Sequence, residues 1–136
     1  MVNNYELLRG LYYSKDYLWI ELESGTAKIG ITDYAQKQLR EIVYVELSNP
    51  PHAVNQLEPF GTIESVKAVS DLIAPLSSII EKANDRVRDR PELLNEDPYG
   101  KGWLMIMSPS NVSGDLGALM DFDVAIQWYR QLSRYT

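Results

Sequence analysis

Apolar and polar residues alternate along much of this chain, and turn-forming residues interrupt the alternation at short intervals. Because successive side chains of a strand point to opposite faces, this two-residue period predicts strands with one buried face. Leu18–Glu23 alternates in this way, Ser24 and Gly25 form a turn, and 27–31 returns as the hairpin partner. The stretch 42–47 is rich in β-branched residues, which predicts a central strand. Further strands are predicted at 78–83 and 103–107.

Helical spacing occurs in three places. Between about 121 and 134, apolar residues recur at intervals of three and four, which predicts an amphipathic C-terminal helix. We expect this helix to pack on the sheets rather than to bind a partner. A shorter helix is predicted over 34–40, with Thr32 or Asp33 as its N-cap, and a single helical turn over 91–95, beginning with its proline. The apolar positions of the C-terminal helix are Phe122, Ala125, Ile126, Tyr129 and Leu132.

Many short strands with regular turns and few helices predict a mainly β fold. We expect a flattened barrel or sandwich of two antiparallel sheets, with short helices and a C-terminal helix. The chain has 136 residues, which fits a single domain, 1–136, that is large enough to bury a core.

The net charge of −6 makes nucleic acid and anionic membranes poor partners and favours docking to basic protein surfaces. No apolar run approaches the length of a membrane span. The first six residues lack the pattern of a signal or transit peptide, so we expect a cytoplasmic protein.

The chain has no cysteine and one histidine. This composition excludes disulfides, thiolate metal sites and a cysteine nucleophile, and it argues against a histidine-based triad or zinc site. His52 follows Pro50 and Pro51, which predicts a solvated loop position. Any redox or group-transfer chemistry of this protein therefore needs a borrowed reactive group.

A lysine at the tip of a hairpin is the strongest candidate for carrying such a group. Alternation predicts strands over 60–65 and 68–74, which leaves Val66 and Lys67 as a tight tip. Lys67 is then displayed to solvent, as an enzyme that acylates the ε-nitrogen requires. A lysine in an arbitrary hairpin is more often an inert, solvated turn residue, so the surrounding residues decide between the two interpretations.

Those surroundings resemble a known family. Residues 64–71 read ESVKAVSD and resemble the lipoylation motif of the glycine cleavage H proteins. Residues 30–36, GITDYAQ, and 42–47, IVYVEL, are similar to two further segments of that family. So are 91–100, PELLNEDPYG, and the tripeptide GWL at 102–104. The resemblance runs in register over about 12–108, which implies a core over 12–108 and a C-terminal helical extension over 109–136.

The resemblance implies a non-catalytic carrier with the lipoyl/biotinyl-domain-like hybrid fold. Lipoate would be attached to Lys67 as an amide, and biotin is disfavoured because biotin carriers flank their lysine with methionines. The cofactor would supply the chemistry and the protein its position. In the family an aspartate at the position of Asp71 helps to hold the loaded amine. Asp71 and Glu64 could equally be solvated charges or part of a ligase recognition surface. The implied cofactor-binding residues are Glu64, Ser65, Val66, Lys67, Ala68 and Asp71.

The resemblance also implies partners. H proteins carry an aminomethyl group from glycine decarboxylase (P protein) to aminomethyltransferase (T protein), and dihydrolipoyl dehydrogenase (L protein) reoxidises the lipoyl dithiol. A lipoate ligase or lipoyltransferase would attach the cofactor. We expect the free protein to be a monomer. The lack of cysteine suits this role, because no protein thiol can attack the cofactor's disulfide.

Two positions depart from the family. Leu18 stands where the family has a glutamate that helps to bind the aminomethyl amine, and leucine cannot pair with a cation. Ser78 replaces a glycine after Ser77, so that turn is expected to take another shape. Leu18 keeps an alternative open: an H-like lipoate-binding protein that serves a heterodisulfide-reductase-like sulfur-oxidation pathway or lipoyl relay.

Overall fold

The computed structural model describes residues 4–133, in which nine strands form two antiparallel sheets. The larger sheet has the order β1-β2-β3-β9-β8-β5 and the smaller has the order β4-β6-β7. Both sheets keep open edges, so the architecture is a sandwich and not a closed barrel. The strands are β1 (Tyr12–Tyr13), β2 (Leu18–Glu23), β3 (Thr26–Ile31), β4 (Ile42–Leu47), β5 (His52–Val54), β6 (Pro59–Ser65), β7 (Val69–Ile73), β8 (Ser78–Ala83) and β9 (Met105–Pro109).

The prediction that 42–47 is a central strand is wrong. Strand β4 is an edge of the three-stranded sheet, and β6 is its centre. The register of β4 against β6 shifts between Ile42 and Tyr44. This bulge leaves the side chains of Val43 and Tyr44 exposed, so the β-branched composition does not correspond to burial on both faces here.

The expectation of a loop also changes at His52, whereas strand β8 has the predicted bounds, 78–83. His52 is exposed as predicted, but it belongs to β5, where it pairs with Ile80. Ser78 is the first residue of β8, and its hydroxyl donates to the carbonyl of Leu76 at 3.2 Å. Neither Ser77 nor Ser78 has a positive φ, so the serine at 78 fits without backbone strain.

The helices are short except for the last. As predicted, Thr32 caps the first one, and its hydroxyl accepts the N–H of Ala35. The turn predicted over 91–95 begins later, at Leu93, because the preceding residues form tighter turns in which Leu93 N–H donates to Arg90. The helices are α1 (Asp33–Leu39), α2 (Asp85–Asp89), α3 (Leu93–Glu96), α4 (Val112–Asp115) and α5 (Phe122–Ser133), with a 3-10 turn at Leu116–Ala118.

Two apolar clusters hold these elements together. The main core lies between the sheets and includes Ile20, Ile29, Ile63 and Ile80. The second cluster is largely aromatic and includes residues from α5. As expected, α5 packs back on the fold, with Ala125 and Tyr129 fully buried. The buried members of the second cluster are Tyr5, Leu7, Tyr13, Trp19, Tyr34, Met120, Ala125 and Tyr129.

The hydroxyls of this aromatic cluster are protected from water. Burial raises the pKa of Tyr13 to about 12, although its hydroxyl donates to the carbonyl of Leu8 at 2.7 Å. Burial also raises the pKa of Tyr129 and of Tyr99, which packs against this cluster. A tyrosine in an unfolded chain ionises near pH 10. The raised values therefore stabilise the fold below pH 10, and this contribution disappears as the pH rises, for Tyr13 between about pH 10 and about 12.

We expect Tyr129→Phe to make stability less sensitive to alkaline pH. The change keeps the buried ring and removes one group with a raised pKa. Above pH 10 the free energy of unfolding should fall less steeply with pH than in the wild type. The difference between the two slopes should be about 1.4 kcal/mol per pH unit. Urea denaturation between pH 8 and 11.5, followed by circular dichroism, measures this slope. Val124→Ala, which shortens an exposed, non-titratable side chain on the same helix, should keep the wild-type slope, and identical slopes in all three proteins would contradict the prediction.

Candidate functional site

The hairpin between β6 and β7 presents Lys67 at its tip. Strand β6 ends at Ser65 and β7 begins at Val69, so the tip has three residues, Val66 to Ala68. This is one residue more than the alternation predicted. The N–H of Ser65 donates to the carbonyl of Ala68 at 2.8 Å and closes the turn.

The Ser65 hydroxyl organises this tip from within. Its oxygen accepts the backbone N–H of Lys67 at 3.1 Å and of Ala68 at 3.0 Å. The hydroxyl donates to the carbonyl of Ala68 at 3.2 Å. Since Ser65 itself is buried, these bonds satisfy polar groups that water reaches poorly, and they fix the backbone that carries the lysine.

A second set of bonds attaches the tip to the rest of the fold. The N–H of Val66 donates to the carbonyl of Glu41, in the connection between α1 and β4, at 3.0 Å. Asn95 of α3 holds that connection. Its side-chain oxygen accepts the N–H of Ile42 at 3.0 Å, and its amide donates to the carbonyl of Arg40 at 2.7 Å. Reasoning from the sequence missed this role. The only signal was that Asn95 belongs to the PELLNEDPYG segment.

The Lys67 side chain is exposed at the end of this fixed turn. Its ammonium donates to the carbonyl of Gln38, near the end of α1, at 3.3 Å. It forms no ion pair with any residue of the described range 4–133. A single exposed hydrogen bond is weak, so the amine is available to an acylating enzyme. The residues present therefore fit a lipoyl group in amide linkage.

A cavity of about 260 Å³ lies beside the tip, on the inner side of the small sheet. Gln38, whose carbonyl accepts the Lys67 ammonium, is part of its wall. The apolar part of the lining comes from β2, β3, α1, the small sheet and α5. These apolar residues are Leu18, Ile31, Ala35, Leu39, Ile63, Leu72 and Leu132.

Leu18 is a buried wall of this cavity and belongs to the main core, with 1% of its surface exposed. The preceding residue, Tyr17, has a φ of 71° and donates its N–H to the carbonyl of Ser14. Burial raises the pKa of the Tyr17 hydroxyl, which also lines the cavity. The carboxylates that line it are those of Asp16 and Asp71, and both residues are exposed.

Glu64, the other acidic residue of the segment 64–71, faces away from the cavity. In the register of β6 and β7, Glu64 lies opposite Val69, and Asp71 lies opposite Thr62. Asp71 also lines a shallow depression on the outer face of the sheet together with Glu46 and Thr62. The structure thus brings the predicted residues 65–68 together at the tip, puts Glu64 on the outer face, and places Asp71 on the edge strand between the two sides.

Other kinds of site are not found in the described residues. Within 4–133, no group of three or more histidine, cysteine, aspartate or glutamate residues could hold a metal ion. No helix in the same range is long and apolar enough to cross a membrane.

Comparison with known proteins identifies the family of this chain. The family model for the glycine cleavage H-protein matches residues 11–131. The chain belongs to the glycine cleavage H-protein family. Members of this family are lipoyl carriers and work with the other components of the glycine cleavage system. The match continues past Ser108, where the motifs alone gave no alignment, and it includes most of α5.

Individual relatives support the same assignment. A protein of Thermococcus gammatolerans, named a probable glycine cleavage system H protein, is 44% identical over 132 residues, covering 96% of this chain and 98% of the relative. The glycine cleavage system H protein of Geobacillus kaustophilus is 45% identical over 103 residues, covering 76% and 81%. The crystal structure of a glycine cleavage system H protein from Mycobacterium marinum matches with a TM-score of 0.82 at 32% identity, covering 90% and 98%.

We expect Ser65→Ala to loosen the tip. The change leaves the N–H groups of Lys67 and Ala68 without their acceptor, which should lower the free energy of unfolding by about 1–2 kcal/mol. Amide exchange at these two positions should accelerate at the same time. Hydrogen exchange measured by NMR, with urea denaturation, tests both effects. Ser70→Ala, at an exposed position on β7, is the control, and unchanged exchange at the tip of Ser65→Ala would show that the hydroxyl is not needed.

Proposed function

We propose that this chain is the lipoyl carrier of a glycine cleavage system, with lipoate in amide linkage to Lys67. In this role it takes an aminomethyl group from glycine decarboxylase and delivers it to aminomethyltransferase. The observation that supports this most directly is the display of the Lys67 amine at a three-residue tip that Ser65 and the 40–42 connection hold in place. Membership of the H-protein family is the reason for interpreting this displayed lysine as the lipoyl attachment site.

The chain's own residues would act by positioning. Ser65 fixes the tip, and Val66 and Ala68 flank the attachment point without blocking it. Glu64 offers a carboxylate to approaching enzymes, and Asp71 offers one to both the outer face and the cavity. When attached, the lipoyl group supplies a disulfide that is reduced as it accepts the aminomethyl group. Tethering raises the effective concentration of that group at each docked enzyme.

The proposed partners follow from this cycle. They are glycine decarboxylase, aminomethyltransferase, dihydrolipoyl dehydrogenase and an enzyme that attaches lipoate. The exposed outer face of the small sheet is acidic, which suits docking to basic surfaces. A long flexible arm on Lys67 allows these enzymes to share one attachment point.

Leu18 supports a second candidate function. Because its side chain is apolar and buried in the cavity wall, it cannot pair with a cationic amine. A lipoyl carrier that does not hold an aminomethyl group would need no acceptor there. The second candidate is therefore an H-like lipoate-binding protein of a sulfur-oxidation pathway or of lipoyl relay.

Glycine–bicarbonate exchange separates these two functions. The fully lipoylated protein is incubated with glycine decarboxylase from the same organism, glycine and labelled bicarbonate, and incorporation of label into glycine is measured. Exchange that depends on the lipoylated carrier supports the glycine cleavage role. Absence of exchange, with lipoylation confirmed by intact mass, would reject that role in favour of the second candidate.

We expect Lys67→Arg and Lys67→Ala to abolish carrier activity while leaving the fold intact. Guanidinium stays protonated and cannot form the amide, and alanine has no nitrogen to acylate. Since Lys67 is exposed, each change should alter the free energy of unfolding by about 0.5 kcal/mol or less. Intact mass after treatment with a lipoate ligase should show one lipoyl group on the wild type and none on either variant.

Lys82→Arg is the matched control for this experiment, because Lys82 is exposed on β8 in the other sheet. It should accept one lipoyl group at the wild-type rate. A lipoyl group on the Lys67 variants would mean that another lysine is the attachment site. A large loss of stability in them would show that Lys67 has a structural role.

A further inference from the structure

Half of the large exposed apolar side chains in the described range are found near Lys67. Of the eight large apolar residues that are exposed within 4–133, four lie at the tip, at the start of β7 or on the edge strand β4. We call these four the tip patch: Val43, Tyr44, Val66 and Val69, which are 45%, 51%, 66% and 66% exposed. A cluster of exposed apolar side chains marks an interaction surface more often than scattered ones do.

The strand register places Tyr44 and Val69 of the patch on the outer face of the small sheet. Tyr44 of β4 lies opposite Glu64 of β6, and Glu64 lies opposite Val69 of β7. Tyr44 and Val69 therefore flank Glu64 in one row across the three strands. The β-bulge between Ile42 and Tyr44 explains why Val43 is exposed too.

Carboxylates border the tip patch on the same face. The next row across the sheet is Glu46, Thr62 and Asp71, so acidic residues lie at both edges of this row. None of the carboxylates of Glu46, Glu64 or Asp71 forms an ion pair with another residue of the described range. A complementary partner surface would have an apolar centre and arginine or lysine at its border.

We propose that the tip patch is the docking surface for the enzyme that attaches the lipoyl group to Lys67. This inference rests on the proposed function, and it adds the surface by which one particular partner recognises the chain. The length of the group that each enzyme must contact distinguishes the attaching enzyme from the other partners. Enzymes that use the lipoyl group contact the end of a long arm. The attaching enzyme must instead bring its active site to an amine on the four-carbon side chain of Lys67. Its surface therefore has to contact the residues that surround the tip.

The reaction in that complex requires the neutral amine of Lys67. The ammonium gives up its hydrogen bond to the carbonyl of Gln38 and loses a proton to solvent. The nitrogen then attacks the carbonyl carbon of lipoyl adenylate. A C–N bond forms, the C–O bond to the phosphate breaks, AMP leaves with the electron pair, and the nitrogen loses its second proton. No oxidant or reductant is needed. The tip patch takes part only by holding the two proteins together.

Initial rates of lipoylation test this surface. A lipoate ligase that modifies the wild type, with lipoate and ATP, is assayed over a range of carrier concentrations for Tyr44→Ser and Val69→Ser. We expect KM for the carrier to rise about tenfold or more, with kcat changed less than twofold, because the loss is in docking and not in chemistry. Tyr44→Phe keeps the aromatic ring and should retain wild-type KM. Melting temperatures confirm that each variant is folded.

Matched controls come from the larger sheet. Ile79→Ser removes a side chain that is 46% exposed on β8, away from the tip, and should leave KM unchanged. For the acidic border, Glu46→Gln should raise KM and reduce its dependence on salt, while Glu81→Gln on β8 should do neither.

The outcomes separate this inference from the proposed function. If the wild type is lipoylated at Lys67 but Tyr44→Ser and Val69→Ser have the same KM as Ile79→Ser, the docking surface is wrong and the carrier function stands. If the wild type accepts no lipoyl group at Lys67, both the docking surface and the proposed carrier function are wrong. If sedimentation shows a dimer that Tyr44→Ser disperses, the tip patch is covered by a second copy of this chain, which overturns the assignment to the attaching enzyme.

Discussion

The position of Lys67 depends on the hydrogen bonds of Asn95, a side chain distant from it in sequence. Asn95 bonds to the backbone on both sides of Glu41, accepting from Ile42 and donating to Arg40. Arg40 has a φ of 68°, a conformation that a residue other than glycine adopts only when its surroundings favour it. The carbonyl of Glu41 accepts the N–H of Val66 and so transmits this constraint to the tip. One amide side chain of α3 thereby connects the end of α1, the start of β4 and the hairpin that carries the lysine.

The hairpin that results has two chemically different sides. Its inner row, in which Ile63 pairs with Ser70, borders the apolar cavity beside α1. Its outer row, in which Glu64 pairs with Val69, belongs to the exposed acidic and apolar face. The unmodified lysine contacts α1 and so leans toward the inner side. Because one strand pair supplies both sides, a substitution on the outer row can change recognition by another protein without altering the cavity.

Periodicity predicted the elements that are long enough to show a period. These elements are the β2–β3 hairpin, the β6–β7 hairpin and α5. Strands β2 and β6 and helix α5 each have six or more residues, and their apolar faces can be recognised in the sequence. Strand β1 has two residues and β5 has three, which is too short for any alternation to be read. The bulge in β4 could not be foreseen either, since it depends on how β4 pairs with a strand that follows it in the chain. The same limit applies to the site. The motif indicated Lys67, but the bonds that position it join residues far apart in sequence, such as Asn95 and Ile42.

Leu18 shows how the core restricts changes at a position that borders the cavity. It lies in one cluster with Ile20 and Ile31, so a glutamate there would bring a charge into an apolar environment unless the cavity admits water or a cationic partner. Among residues 4–133, the only carboxylates lining the cavity are those of the exposed residues Asp16 and Asp71. Exposed ion pairs contribute about 0–1 kcal/mol each. Under the proposed function, a cationic group on the lipoyl arm would therefore be retained weakly, and efficient transfer would rely on rapid delivery between docked enzymes more than on protection within the carrier.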